Sequence, residues 1–131
     1  MAQELRKAAK DMVAEAKGRV ENLTPNQVEK ELQRPDVVLV DLREADEREQ
    51  DGVIQGAVHV TRGMLEFRAD PSTPYHNSAL QPERRIILHC ASGGRSALAA
   101  ATLQEMGYTD VAHLDGGFKA WQAEGKPVKK P

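Results

Sequence analysis

The longest unbroken run of large aliphatic side chains in the chain is Val37-Val38-Leu39-Val40, and its brevity decides most of what the chain can fold into. A membrane-spanning helix needs about 20 consecutive apolar residues, so the sequence predicts no such span. A buried helix needs a longer run too. A short run rich in β-branched side chains makes a strand covered on both faces, as parallel sheets require. Val37 to Leu42 therefore predicts a strand. Arg84-Arg85-Ile86-Ile87-Leu88-His89 and Val111 to Leu114 repeat the pattern, and a shorter strand around Val58 to Val60 follows the turn glycines Gly52 and Gly56.

Helical segments separate these runs. Leu5, Ala9, Met12, Val13, Ala16 and Val20 recur at helical spacing with Glu and Lys between them. They predict an amphipathic N-terminal helical extension over 1–21, its helix ending near Gly18 and its stripe packed on the domain. Thr24-Pro25-Asn26-Gln27 supplies an N-cap, a proline at the first helical position and a Gln three residues on, opening a helix that carries Val28 and Leu32. Glu44 to Gln50 and Met64 to Arg68 predict short helices. Ser96 to Met106, rich in Ala and Leu and closed by Gly107, predicts the strongest one. Phe118 to Glu124 predicts the last, stopped by Gly125 and Pro127. Asp70 to Pro82, with three prolines, reads as a surface loop long enough to suggest a place near a site. Strands alternating with helices predict an α/β domain over 22–131, with a central, mainly parallel sheet and helices on both faces.

Composition excludes several functions. With Lys plus Arg at 18 and Asp plus Glu at 20, the net charge of -2 offers no basic field for nucleic acid. The N-terminus alternates charges where a secretory signal would carry an apolar core, so a cytoplasmic, membrane-free location is expected. A single cysteine, Cys90, allows neither an intrachain disulfide nor a Cys-rich zinc site. His59, His76 and His113 show no metal-ligand spacing, and no metal or cofactor is expected.

Cys90 stands in the segment that carries chemistry. Cys90-Ala91-Ser92-Gly93-Gly94-Arg95-Ser96 lies between a predicted strand and the N-terminus of the strongest predicted helix, where ligands of open α/β sheets sit. Paired glycines let the backbone curl so that successive N–H groups point inward, and the helix adds unsatisfied donors and a positive dipole end. Such a loop cradles an anion. At its start, Cys90 would meet those donors and the Arg95 guanidinium, which favour thiolate over thiol.

On these residues the chain resembles the single-domain rhodaneses, from about Leu23 to Val128. The resemblance rests on Val40-Asp41-Leu42-Arg43-Glu44, on Gly52-Val53-Ile54-Gln55-Gly56-Ala57, on the Cys90-to-Arg95 loop, and on Asp115-Gly116-Gly117-Phe118-Lys119-Ala120-Trp121 with Gly125 and Pro127. Val53 departs from it, since many members carry His there. The resemblance implies a sulfurtransferase in which Cys90 takes the sulfane sulfur of a donor such as thiosulfate as a persulfide and passes it to cyanide, a thiol or a partner protein. The loop from Ala91 to Ser96 would bind the anionic donor.

Asp41 and Arg43, just past a strand, and Arg62, after the next, are candidate supporting residues on the same sheet edge. His89 should point away from its neighbour Cys90. The N-terminal extension lies outside the resemblance, and its removal is expected to leave Cys90 reactive. A cysteine phosphatase is the rival reading. Protein tyrosine phosphatases place five residues between Cys and Arg; this chain has four, Ala91 to Gly94.

Overall fold

Glu21–Leu23 (β1), Val37–Asp41 (β2), Val58–His59 (β3), Arg85–His89 (β4) and Val111–Leu114 (β5) form one sheet in the order β1-β5-β4-β2-β3. Every pairing is parallel. The computed structural model describes residues 3–131. Its helices are Ala9–Lys17 (α1), Pro25–Glu31 (α2), Ala45–Asp51 (α3), Leu65–Ala69 (α4), Gly94–Glu105 (α5) and Gly117–Ala123 (α6), with a 3-10 turn at Arg62–Met64. None of them is long and apolar enough to cross a membrane.

The period of two along each strand sorts side chains into two cores. On one face Val40, Ile86, Leu88, Cys90 and Val111 pack with Leu65, Ala69, Ala99, Ala100 and Leu103 of α4 and α5. On the other, Leu39, Ile87, Ala112 and Leu114 pack with Val28, Phe118 and Trp121 of α2 and α6. The expected two-sided α/β architecture is what the chain forms. Chain direction then fixes the position of the site. The segment leaving β2 runs through α3 to β3 on one side, and that leaving β4 runs through α5 to β5 on the other. The divergence puts the switch point of the sheet at the C-terminal ends of β2 and β4, the place where such sheets bind ligands.

Three expectations change. No strand was expected at Glu21-Asn22-Leu23, where the extension over 1–21 meets the domain over 22–131, yet it is an edge strand; three residues with no alternating pattern become a strand only because β5 offers a partner from Ala112 to Leu114. The amphipathic stripe is half real. Ala16 and Val20 are buried, whereas Leu5 lies before α1 and is 82% exposed, and Met12 faces outward at 48%. Finally, the loop Asp70 to Pro82 is remote from the switch point. It is tied to the far end of α5, through the Tyr108 hydroxyl donating to Ala69 O and Thr109 N donating to Pro82 O. A connection that feeds the N-terminal end of β4 necessarily sits opposite the C-terminal ends where the switch point lies.

Candidate active site

Cys90 follows β4 directly and is 1% exposed. Because His89 and Cys90 are neighbours on an extended backbone, they face opposite sides: Cys90 joins the α5 core, and His89 stacks on Phe118 with ring centroids 6.1 Å apart. The Cys90 Sγ accepts hydrogen bonds from Gly93 N at 3.2 Å and from Ser96 N at 3.4 Å. Two backbone donors therefore point at the sulfur from the first turn of a 12-residue helix, whose dipole adds to them.

Gly93 has φ +103, a left-handed value that lets the chain turn from strand to helix within the loop. Gly117 holds the loop from below. Its φ is +64, and a Cβ there would lie 2.6 Å from Ala91 O and 2.7 Å from Cys90 O. This close approach lets Phe118 N donate to Cys90 O at 2.8 Å and Lys119 N to Ala91 O at 3.0 Å. The start of α6 thus binds the loop's carbonyls. The Asp115-Gly116-Gly117 turn belongs to the site although it lies far from Cys90 in sequence, and the sequence reading left it out of the candidate residues.

Arg95 does not stand free. Its guanidinium grips the Glu47 carboxylate of α3 in a two-bonded fork, Nη1 to Oε1 at 2.8 Å and Nη2 to Oε2 at 2.9 Å. That bond holds Glu47 well below the usual carboxylate range, at about 2, against the opposing effect of burial. Glu47 Oε1 also accepts from Glu44 N, closing the N-terminal turn of α3. Sequence reasoning missed Glu47 because a carboxylate in a short polar helix looks like solvated surface.

Asp41 and Arg43 are buried, at 0% and 1% exposure, on the α6 side of the sheet. Arg43 donates Nε to Asp41 Oδ1 at 3.0 Å, Nη2 to Asp41 Oδ2 at 2.8 Å and Nη2 to Gly52 O at 2.9 Å, with its guanidinium 4.0 Å above the Phe118 ring. Burial pushes Asp41 up, but the Arg43 hydrogen bond and the nearby His89 outweigh it, so Asp41 is held below its usual range. Burial holds the His89 ring at about 4, hence neutral. This cluster supports the underside of the site, separated from the Cys90 sulfur by the sheet. Arg62 pairs with Glu66 at 3.0 Å and reaches Thr102 of α5 at 3.4 Å. Thr102 lies eight residues beyond Gly94, roughly 12 Å along the helix, so Arg62 stands away from the loop.

The α5 side of the sulfur holds a chain of polar groups. The Cys90 thiol lies 3.6 Å from Ser96 Oγ, Ser96 Oγ lies 2.8 Å from His113 Nδ1, and His113 Nε2 lies 2.7 Å from Asn22 Oδ1. Burial holds His113 at about 4, Asp115 opposing this and Lys17 adding to it. The N-terminal segment therefore reaches the site. Asn22 comes from β1, Lys17 of α1 pairs with Asp115 at 3.0 Å, and Val13 Cγ2 lies 3.7 Å from where a Gly94 Cβ would stand. Among the described residues no cluster of His, Cys, Asp and Glu could hold a metal ion.

Comparison with known proteins agrees with this geometry. A family model for the rhodanese-like domain matches residues 24–124. A sulfurtransferase from Allochromatium vinosum is 34% identical over 73% of this chain and 81% of its own length. The thiosulfate sulfurtransferase GlpE of Actinobacillus succinogenes is 33% identical over 82% and 88%. Among solved structures, a Rhodopseudomonas palustris protein of unknown function, described as a possible tyrosine phosphatase, superposes with a TM-score of 0.91 at 43% identity, over 98% of this chain and 99% of its own. On this evidence the chain belongs to the rhodanese-like domain family, with sulfurtransferases among its homologues.

Proposed function

We propose that the protein is a thiosulfate-type sulfurtransferase working through a Cys90 persulfide. The Cys90 thiolate attacks the outer sulfur of an anionic donor; the donor's S–S bond breaks with its electron pair leaving on sulfite, and a new S–S bond forms to Cys90. A cyanide ion or thiolate then attacks the outer sulfur and returns Cys90 as thiolate. The observation that carries this reading is the pair of backbone N–H groups, Gly93 and Ser96, aimed at a sulfur at the β4–α5 junction. Such fixed donors stabilise negative charge where it develops. The reaction needs no redox partner, since sulfur is both leaving group and cargo. With Arg95 neutralised by Glu47, recognition of the anion falls mainly to loop N–H groups. A small thiol or a protein thiol serves equally as acceptor in this chemistry, and a cytoplasmic location suits it.

The possible tyrosine phosphatase among the structural neighbours gives weight to a second reading. Four residues between Cys90 and Arg95 make a ring of donors one residue shorter than that of the protein tyrosine phosphatases, too tight for a phosphate ester. Asp70-Pro71, the one candidate general-acid turn, sits at the far end of the domain; Asp70 accepts from Ser72 N and Ser72 Oγ. Side-by-side assays separate the two. Thiosulfate plus cyanide should yield thiocyanate while aryl phosphates stay intact; phosphate release without thiocyanate would reverse the assignment.

A further inference from the structure

The polar chain beside Cys90 has a direction, and the direction is set outside the loop. Asn22 Nδ2 donates to Lys17 O at 2.9 Å and to Val20 O at 3.1 Å. Both partners are carbonyls, so the amide cannot be turned over, and Oδ1 faces His113. An amide oxygen only accepts. His113 Nε2 must therefore carry the proton, and Nδ1 is left as a bare acceptor. The donor facing it is the Ser96 hydroxyl, whose Oγ lies 2.8 Å from Nδ1, closer than the 3.3 Å from Ser96 Oγ to Gly93 O. A hydroxyl that gives its one hydrogen to Nδ1 turns its lone pairs toward Cys90, whose thiol lies within reach at 3.6 Å.

We propose that His113, reached through the Ser96 hydroxyl and held in one tautomer by Asn22, takes the Cys90 thiol proton before the sulfur attacks. The inference rests on Cys90 being the nucleophile of the proposed sulfurtransferase. In the step, the S–H proton moves to Ser96 Oγ as the Ser96 proton moves to His113 Nδ1. Sulfur keeps the bonding electron pair, Ser96 is unchanged in charge, and His113 becomes imidazolium with both N–H groups bonded. Ser96 then donates to the thiolate alongside the Gly93 and Ser96 N–H groups. The proton returns along the same path when the persulfide is discharged and Cys90 is released.

The charged groups facing His113 are Lys17 of α1 and Asp115 after β5, and they pair with each other. Arg95 of α5 is committed to Glu47. Burial keeps His113 neutral in the neutral range, so Nδ1 is free to accept, and the imidazolium it forms is held by the opposite charge of the Cys90 thiolate against the cost of burial. Asn22 is then a positioning residue, and it belongs to the N-terminal segment before the family match, which starts at residue 24.

The test is the pH dependence of Cys90 reactivity, followed by alkylation with iodoacetamide and by sulfur uptake from thiosulfate. His113→Gln keeps polar atoms near Ser96 but removes the base. It should slow both reactions about tenfold at pH 7, less than a full general-base effect because solvent also takes a thiol proton. The gap should close above the ordinary thiol range of about 8.5. Asn22→Ala, at an exposed position, should keep the fold while freeing the tautomer, and should give a smaller loss of the same pH form. A loss constant across pH in both variants, or no loss, overturns the relay. An alkylation shift in a protein whose wild type takes up no sulfur would keep the relay and strike the sulfurtransferase reading.

Discussion

At the scale of single residues, the charge balance around the loop differs from what a lone Arg beside a Cys suggests. A guanidinium joined to a carboxylate by two bonds of 2.8 and 2.9 Å presents little net charge to an anionic donor. Glu47→Gln should therefore raise kcat/KM for thiosulfate at low salt, by roughly fivefold or less, the scale of about 1 kcal/mol for two charges interacting through water, and salt should erase the gain. A fall in kcat/KM would mean that the fork orients the loop through geometry and not through charge. The same pair sets an acid dependence. Glu47 titrates at about 2 in the fold against an ordinary 4.5, so its contribution is complete above pH 4.5 and fades as pH falls toward 2. Both partners are partly exposed, so the difference in urea midpoint between wild type and Glu47→Gln should correspond to less than about 1 kcal/mol and vanish near pH 2. Asp41 behaves as a buried partner. Asp41→Asn leaves Arg43, 1% exposed, without its counter-charge and should cost about 3–5 kcal/mol in denaturant melts. A cost below 1 kcal/mol would show that Arg43 has found water.

Among the elements, the turn before α6 matters as much as the loop it holds. Gly117→Ala places a Cβ 2.6 Å from Ala91 O, on backbone that cannot step aside without moving Cys90. The expected outcome is a loss of about 2–4 kcal/mol and of most sulfur uptake, since strain at a left-handed residue adds to the clash. Gly56 is the control. It has φ +85 with nothing within 4 Å of its Cβ position, so Gly56→Ala should cost only about 1 kcal/mol and leave uptake unchanged. Equal effects would mean that Gly117 acts through conformation alone. The contrast also shows what the sequence could carry. The strands β2, β4 and β5 were legible because buried parallel strands concentrate Val, Ile and Leu in short runs. The Thr24 cap was legible because its partner Gln27 lies three residues away, and the structure forms both bonds. The Cys90 loop could be read because Cys, paired Gly and Arg fall within a few positions. β1, the Glu47 fork and the Asn22 bond join residues far apart in sequence, 91 positions in the case of Asn22 and His113. No local periodicity records such a meeting.

For the whole molecule, the N-terminal segment packs as part of the domain. α1 packs on α5, with Ala16 and Val20 buried, and β1 completes the sheet edge next to β5. Removing residues 1–21 should lower stability by about 2–4 kcal/mol, counting one large and one small buried side chain, and should slow Cys90 through the loss of Lys17 and Val20, whose carbonyls fix Asn22. The sequence alone led to the opposite expectation for reactivity, because the extension falls outside the family resemblance. A truncated protein with unchanged Cys90 kinetics would restore it. The sheet brings these groups together: β4 leads into Cys90, β5 carries His113, β1 carries Asn22, and the start of α5 supplies backbone donors. Whether Cys90 carries sulfur is tested most directly by intact-mass measurement after incubation with thiosulfate. The protein should gain the mass of one sulfur atom, lose it on addition of cyanide, and gain nothing as Cys90→Ser. An unchanged mass in the wild type, or an equal gain in the Ser variant, would contradict sulfur carriage by Cys90.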